Sequence, residues 1–528
     1  MGKRVALVVA AAGCIALPAQ AAWYKAESPH FVVYADDSER DVTKFAEILE
    51  RFHTAMRMVT GRKDVVPSPS NRVTIFAVGS ESRVQQLIGD KSRTVAGFYA
   101  PGAGASRAFV PNIQIASGGE NDFSLTVLLH EYAHHFLLSA SRFAMPRWVD
   151  EGAAEFFASA KFERDGSVGI GRPAYHRGAE LAYADDVTVE ELLDHAVYDK
   201  HHGKRFDAFY GRAWGLYHYL IMDELQQGER KGQFTAYSRA LMSGKSERDA
   251  ATAAFGDLEQ LEKDLDGYLR KNKMSYIRFS PERIPAAQVK TAALTAGEAA
   301  VMPLRIRSQR GVNREQALEL VPKVREVAAR YPQDAGVLTA LAEAEHDAGN
   351  DDAAVAAADK AIALDPSRAN AYVQKGYALF AIAEKATAEG KAAAFAAALK
   401  PFQALNKIEN DHPLPLAYFY RSYVEQGRQP PELARHALER ASELAPFDQG
   451  LTFEVAIMQA MEGKIAHAKA NLLVLAANPH GGDFAANAQK LAVEIGKLAE
   501  GTRWEPSPLE ELATVADVPD GDGEKGSN

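Results

Sequence analysis

The feature that most restricts the fold is a spacing of prolines in the second half of the chain. Pro332, Pro366, Pro413, Pro446 and Pro479 stand 34, 47, 33 and 33 residues apart, in a background rich in alanine. A repeat of this length accommodates one pair of helices, and such a pair cannot bury its apolar side alone, so successive copies must stack. The best-formed copy is 335–368. There Leu338, Leu341, Ala342, Gly349, Ala354, Ala358 and Ala361 fall where two helices pack, and Pro366 turns the chain out of the second. The next copy opens with Asn370-Ala371-Tyr372 and carries a 13-residue insertion, rich in Ala and Lys, around 383–395. An all-α solenoid over residues 301–503 is the expectation.

The period is similar to that of the tetratricopeptide repeat, and this resemblance implies a surface that holds a protein partner. The repeats fill less than half of the 528 residues, and the remainder is long enough for a domain of its own. With 47% hydrophobic and 25% charged residues the composition is that of an ordinary globular protein. Sixty basic against 70 acidic residues give a net charge of -10, which argues against a nucleic-acid partner. The single cysteine, Cys14, excludes a thiolate zinc cluster, an intramolecular disulfide framework and a cysteine nucleophile. Metal chemistry is left to carboxylates and to 15 histidines.

Lys3 and Arg4 precede an apolar run from Val5 to Leu17, followed by Pro18 and Ala19-Gln20-Ala21. A charged start, a short apolar stretch and a small-x-small site form a secretory signal, so residues 1–21 are expected to be removed near Ala21. Lipid attachment at Cys14 is the lesser reading, because Ile15-Ala16-Leu17 continues the apolar run. The expected destination is the periplasm or the exterior, and no later run is long enough to span a membrane. At the other end, residues 504–528 are acidic and rich in Gly, Pro and Ser, and disorder is expected there.

Residues 22–285 read as an α+β domain, strands first and helices after. His30–Ala35 and Arg72–Val78 are β-rich runs, joined by a helix on which Val42, Phe45, Leu49, Phe52, Met56 and Val59 recur before Gly61. Thr94–Tyr99 and Ser106–Val110 flank a loop with Pro101, Gly102 and Gly104 and are expected to form a hairpin or a pair of edge strands. Helices are expected at 123–138, 150–161, 207–226, 232–243 and 256–272. Residues 286–300 read as a linker to the repeats.

The chemistry lies in His130-Glu131-Tyr132-Ala133-His134. Leu125, Leu128, Leu129, Tyr132, Ala133, Phe136 and Leu137 repeat at helical spacing, so these histidines stand one turn apart on one face. The helix is apolar nearly all round, and burying imidazoles and a carboxylate in it is costly unless an ion compensates them. One zinc ion meets that need. Downstream, Glu151 and Glu155 share a face of a second helix. One can bind the metal while the other orients a ligand imidazole.

His130–His134 followed by Trp148-Val149-Asp150-Glu151-Gly152-Ala153-Ala154-Glu155 resembles the gluzincin zinc metallopeptidases, and most closely their peptidase-MA-like branch. The resemblance covers about 120–225 and implies a zincin-like fold with His130, His134 and Glu151 as zinc ligands. It further implies Glu131 as general base and Glu155 as a carboxylate behind the ligands. It also implies an electrophilic tyrosine some 60 residues beyond the third ligand, and Tyr210-Gly211-Arg212-Ala213 lies 59 beyond Glu151. Tyr210 also belongs to an aromatic stripe with Phe206, Phe209, Trp214, Tyr217 and Tyr219, which core packing alone would explain. His135, His176, His201, His202 and His218 have no spacing that assigns them to the metal. The aminopeptidases' Gly-x-Met-Glu-Asn segment is missing, so the resemblance implies an endopeptidase, with the hairpin at 94–110 as the edge to which a peptide substrate adds. The competing expectation is an exported repeat scaffold, chaperone-like, whose peptidase domain is silent.

Overall fold

The computed structural model describes residues 23–89, 97–115, 121–139, 143–202 and 206–505. The signal expected at 1–21 lies outside the described residues. Among the described residues nine strands occur in order: β1 (Trp23–Glu27), β2 (Phe31–Asp36), β3 (Val73–Ala77), β4 (Phe98–Ala100), β5 (Arg107–Val110), β6 (Lys161–Phe162), β7 (Val168–Ile170), β8 (Ile277–Phe279) and β9 (Lys290–Ala293). Six of them form a mixed sheet in the order β4-β5-β3-β2-β1-β9, and β6, β7 and β8 make a small antiparallel sheet.

Alternation along β2 and β3 divides the main sheet into two buried faces. Phe31, Val33, Ala35, Val73 and Ile75 enter a core shared with helices Glu39–Thr60 and Phe123–Leu138. Val32, Tyr34 and Phe76 turn the other way, onto Met302 and Ile306 of helix Ala296–Gln309. The helix after β2 starts where the Ser38 side chain accepts from the Asp41 N–H and stops at Gly61, whose φ of 66° suits glycine.

The expected helices of this half occur with ends shifted by at most three residues, and Phe123–Leu138 matches to the residue. β4 and β5 form the expected antiparallel pair, with Phe98 opposite Phe109; the first residues of the run Thr94–Tyr99 lie outside the described residues. The linker expected at 286–300 is not a linker. β9 pairs with β1, Tyr24 opposite Ala293, and the next helix begins at Ala296. β9 is an edge strand with three of its four residues exposed, so it lacks the apolar alternation that marks a strand in sequence.

The second half is helical. Pairs form from Ala296–Gln309 with Arg314–Arg330, Ala335–Asp347 with Asp351–Leu364, and Ala369–Glu384 with Ala388–Ile408. Pro413–Val424 with Glu432–Leu444 and Gln449–Met461 with Ile465–Ala476 follow, and Gly482–Ile495 closes the array. Each periodic proline falls just beyond the second helix of a pair, so the period is one helix pair. The insertion expected around 383–395 is absorbed by longer helices, of 16 and 21 residues, instead of a loop. Trp504, expected in a disordered tail, is 6% exposed, and its indole donates to Glu494 Oε1 at 2.9 Å. The remainder of that tail from 506 lies outside the described residues. Among the described residues no helix is long and apolar enough to cross a membrane.

Candidate metal centre

The Asp122 side chain caps helix Phe123–Leu138 by accepting from the Leu125 N–H. The apolar residues of this helix lie in the main core and carry His130 and His134 in with them, 3% and 6% exposed. Glu131 stays partly exposed. Helix Arg147–Ala158 brings the carboxylates. It lies tight against helix Phe209–Gln226, because a Cβ at Gly152 would stand 2.5 Å from the Ala213 carbonyl oxygen. Trp148 anchors the same helix, fully buried, with its indole donating to the Tyr237 hydroxyl at 3.1 Å.

Glu151 Oε2 lies 3.4 Å from His130 Nε2 and 3.5 Å from His134 Nε2, and the two Nε2 atoms are 3.0 Å apart. On their far sides the rings meet carboxylates: His130 Nδ1 is 3.1 Å from Glu155 Oε1, and His134 Nδ1 is 3.1 Å from Asp150 Oδ1. An ionised carboxylate only accepts, so each Nδ1 carries a hydrogen and each Nε2 of a neutral ring presents a lone pair. Two lone pairs and a carboxylate then converge, and both Glu151 oxygens are buried without a hydrogen bond among the described residues. A cation removes the repulsion, and this donor set suits zinc.

The electrostatics agree. Burial disfavours charge on the rings, yet the nearby Glu151 and Glu155 carboxylates outweigh it and raise His130 to about 10. Asp150 and Glu151 push His134 well up, also against burial. Two N–H groups cannot share a 3.0 Å gap, whereas one ion can. The carboxylates thus draw positive charge to this spot.

Glu155 is itself fixed. His176 Nε2 and Arg177 Nη2 each lie 2.5 Å from its oxygens, and Arg177 Nε donates at 3.0 Å. Burial opposes ionisation, but Arg177 and the two histidines hold the carboxyl well below its usual range. Tyr210, in the first turn of its helix, has the Arg177 guanidinium 4.5 Å above its ring. Burial opposes the charge of Arg147, but Tyr210 and Glu151 both raise its pKa.

One further residue meets this group. His480, in the connection between Ile465–Ala476 and Gly482–Ile495, places Nε2 3.1 Å from Glu151 Oε1. The ligand atoms of His130, His134, Glu151 and His480 all lie within 4.8 Å of one another. Sequence reasoning missed His480, Asp150, His176 and Arg177. Asp150 carried a signal, since it adjoins Glu151 on the same turn. His480 carried none.

The unassigned histidines have other partners. His135 bonds the Tyr99 hydroxyl at 2.5 Å, His201 and His202 face Glu191, and His218 lies between Tyr268 and the Gly171 carbonyl. His30, His53 and Asp64 form a second cluster of possible ligands. Its imidazoles are stacked, 3.7 Å between centroids and 23° between planes, and both Nε2 atoms face Asp64 Oδ1, at 3.3 and 3.4 Å, but Asp64 is exposed. It is the poorer metal site.

Residues 124–240 match a family model described as a protein of unknown function (DUF1570), and this stretch holds every residue of the centre except His480. No curated protein matches the chain. Among solved structures, the thermophilic TPR protein TTC0263 of Thermus thermophilus is 16% identical, covering 38% of this chain and 100% of its own, with a TM-score of 0.32. MamA from Desulfovibrio magneticus is 19% identical, covering 38% of this chain and 96% of its own, with a TM-score of 0.25.

Proposed function

We propose that the chain is an exported, zinc-dependent metallopeptidase of gluzincin type, acting as an endopeptidase. The observation that carries this reading is the pairing of His130 Nδ1 with Glu155 and of His134 Nδ1 with Asp150, which turns both Nε2 atoms toward Glu151. His130, His134 and Glu151 would hold one zinc ion. When bound, zinc polarises the scissile carbonyl and lowers the pKa of a water toward about 7.

Glu131 adjoins the first ligand and is partly exposed where its neighbours are buried, which suits a general base. It takes the proton of the attacking water and returns it to the leaving amine. Tyr210 donates to the developing oxyanion, a contribution of about 3 kcal/mol for one placed donor. Arg177, which donates to Glu155, also stands over the Tyr210 ring, and this supports the reading. β4 ends the sheet and offers main-chain groups to an extended peptide. The solenoid is read as a tetratricopeptide array that recruits a protein substrate or partner. Export rests on the signal pattern of residues 1–21.

The test is metal analysis with peptide cleavage by the wild type and by Glu131→Gln. Stoichiometric zinc in both, with cleavage at least 100-fold slower in the variant, is the expected result. Equal cleavage by the two proteins sinks the assignment of Glu131, and a zinc-free wild type sinks the metal.

A further inference from the structure

Catalytic zinc sites combine three protein ligands with an open position, whereas structural sites are closed by four. The centre described above has a fourth candidate, and it comes from the other half of the chain. Glu151 divides its oxygens: Oε2 faces His130 and His134, and Oε1 faces His480 Nε2 at 3.1 Å. That nitrogen makes no hydrogen bond among the described residues. The ring of His480 stands at 77° to that of His134, with centroids 5.4 Å apart.

The imidazole is presented on a built turn. The His480 N–H donates to Asn478 Oδ1 at 2.9 Å and the Gly481 N–H to the Asn478 carbonyl at 3.1 Å. The preceding helix pairs hold the turn against the first half. Phe447 packs on His135 at 4.5 Å, and Asp448 Oδ2 accepts from the Ala103 N–H at 2.8 Å. Next to the centre the contact is incomplete, with a cleft between Leu138 and Asp150 on one side and Leu475 and Asn478 on the other.

We propose that His480 is a fourth protein ligand that closes the metal centre, so that the folded chain is a latent enzyme. The inference rests on the zinc-peptidase reading and adds its control. Withdrawal of the turn 477–481 opens the position that water and substrate need, and the core of the first half is untouched by that movement.

Zinc K-edge absorption and chelator competition on the full chain test this, together with peptide cleavage. Wild type is expected to show three imidazoles per zinc and His480→Ala two, with zinc bound at least tenfold more weakly and peptides cut at least tenfold faster. His480→Gln keeps a polar contact to Glu151 without ligating, and it must behave like the alanine variant. Two imidazoles in the wild type, or unchanged affinity in both variants, overturns the fourth ligand. Slower cleavage in both variants overturns latency and makes His480 a substrate-facing group. Two imidazoles in His480→Ala with no cleavage of any peptide overturns the peptidase reading alone, leaving His480 as the ligand of a structural centre.

Discussion

His134 and Asp150 are joined by a 3.1 Å contact between imidazole Nδ1 and carboxylate Oδ1, although they lie on different helices. Asp150 immediately precedes Glu151, so one turn of helix supplies both the carboxylate that meets the two imidazoles and the group that orients one of them. Asp150→Ala is expected to weaken zinc binding by about 10- to 100-fold, read by chelator competition. Unchanged affinity would show that the contact does not set the ring.

The close approach of two helices at Gly152 carries its own consequence. A methyl there meets the Ala213 carbonyl oxygen at 2.5 Å, backbone that has no free rotamer with which to move aside. Gly152→Ala should cost about 1–3 kcal/mol in urea unfolding. Because Glu151 is the adjacent residue, zinc affinity should fall as well. A variant with the wild-type unfolding midpoint contradicts the packing.

Acid should destabilise the first half through His218. Burial lowers this imidazole to about 4, although the Gly171 carbonyl accepts from it. In the unfolded chain a histidine takes up its proton near pH 6.5. Stability from the neutral ring is therefore complete above about 6.5 and is lost as pH falls toward 4, by about 3 kcal/mol in all. Urea midpoints measured between pH 7.5 and 4.5 should decline less steeply in His218→Gln than in the wild type. Parallel declines would assign the acid sensitivity elsewhere.

One ion per chain is expected, although two clusters offer imidazoles. The carboxylate of the other cluster, Asp64, is exposed, where water competes for it, whereas Glu151 is fully buried between its imidazoles. Elemental analysis should find one zinc in the wild type and in His53→Ala, and none in His130→Ala. A second equivalent lost only in His53→Ala would reverse this view.

What the sequence disclosed follows from how local the cause of each feature is. Helix Phe123–Leu138 was legible to the residue because its apolar positions keep one period from end to end, with Asp122 as the cap. The candidate centre was legible in part, since His130 and His134 lie one turn apart and Glu151 and Glu155 likewise. β9 was not, because an exposed edge strand needs no apolar pattern. The lengthened helices at 369–384 and 388–408 could have been read from alanine and lysine, both good helix formers. His480 could not: its place beside Glu151 is fixed by the stacking of five helix pairs, and no periodicity records a meeting of residues so far apart in the chain.

β9 and the helix that follows it also decide where this protein can be divided. A chain cut after residue 285 would lose the partner of β1 and the cover over Tyr34 and Phe76, leaving an open sheet edge beside a bare aromatic face. Such surfaces pair with their own kind and precipitate. The helix Ala296–Gln309 therefore counts as the last wall of the first half as much as the first helix of the array. Any exchange of repeat arrays between chains of this architecture must make its join beyond Gln309, and the soluble minimal fragment should end there too.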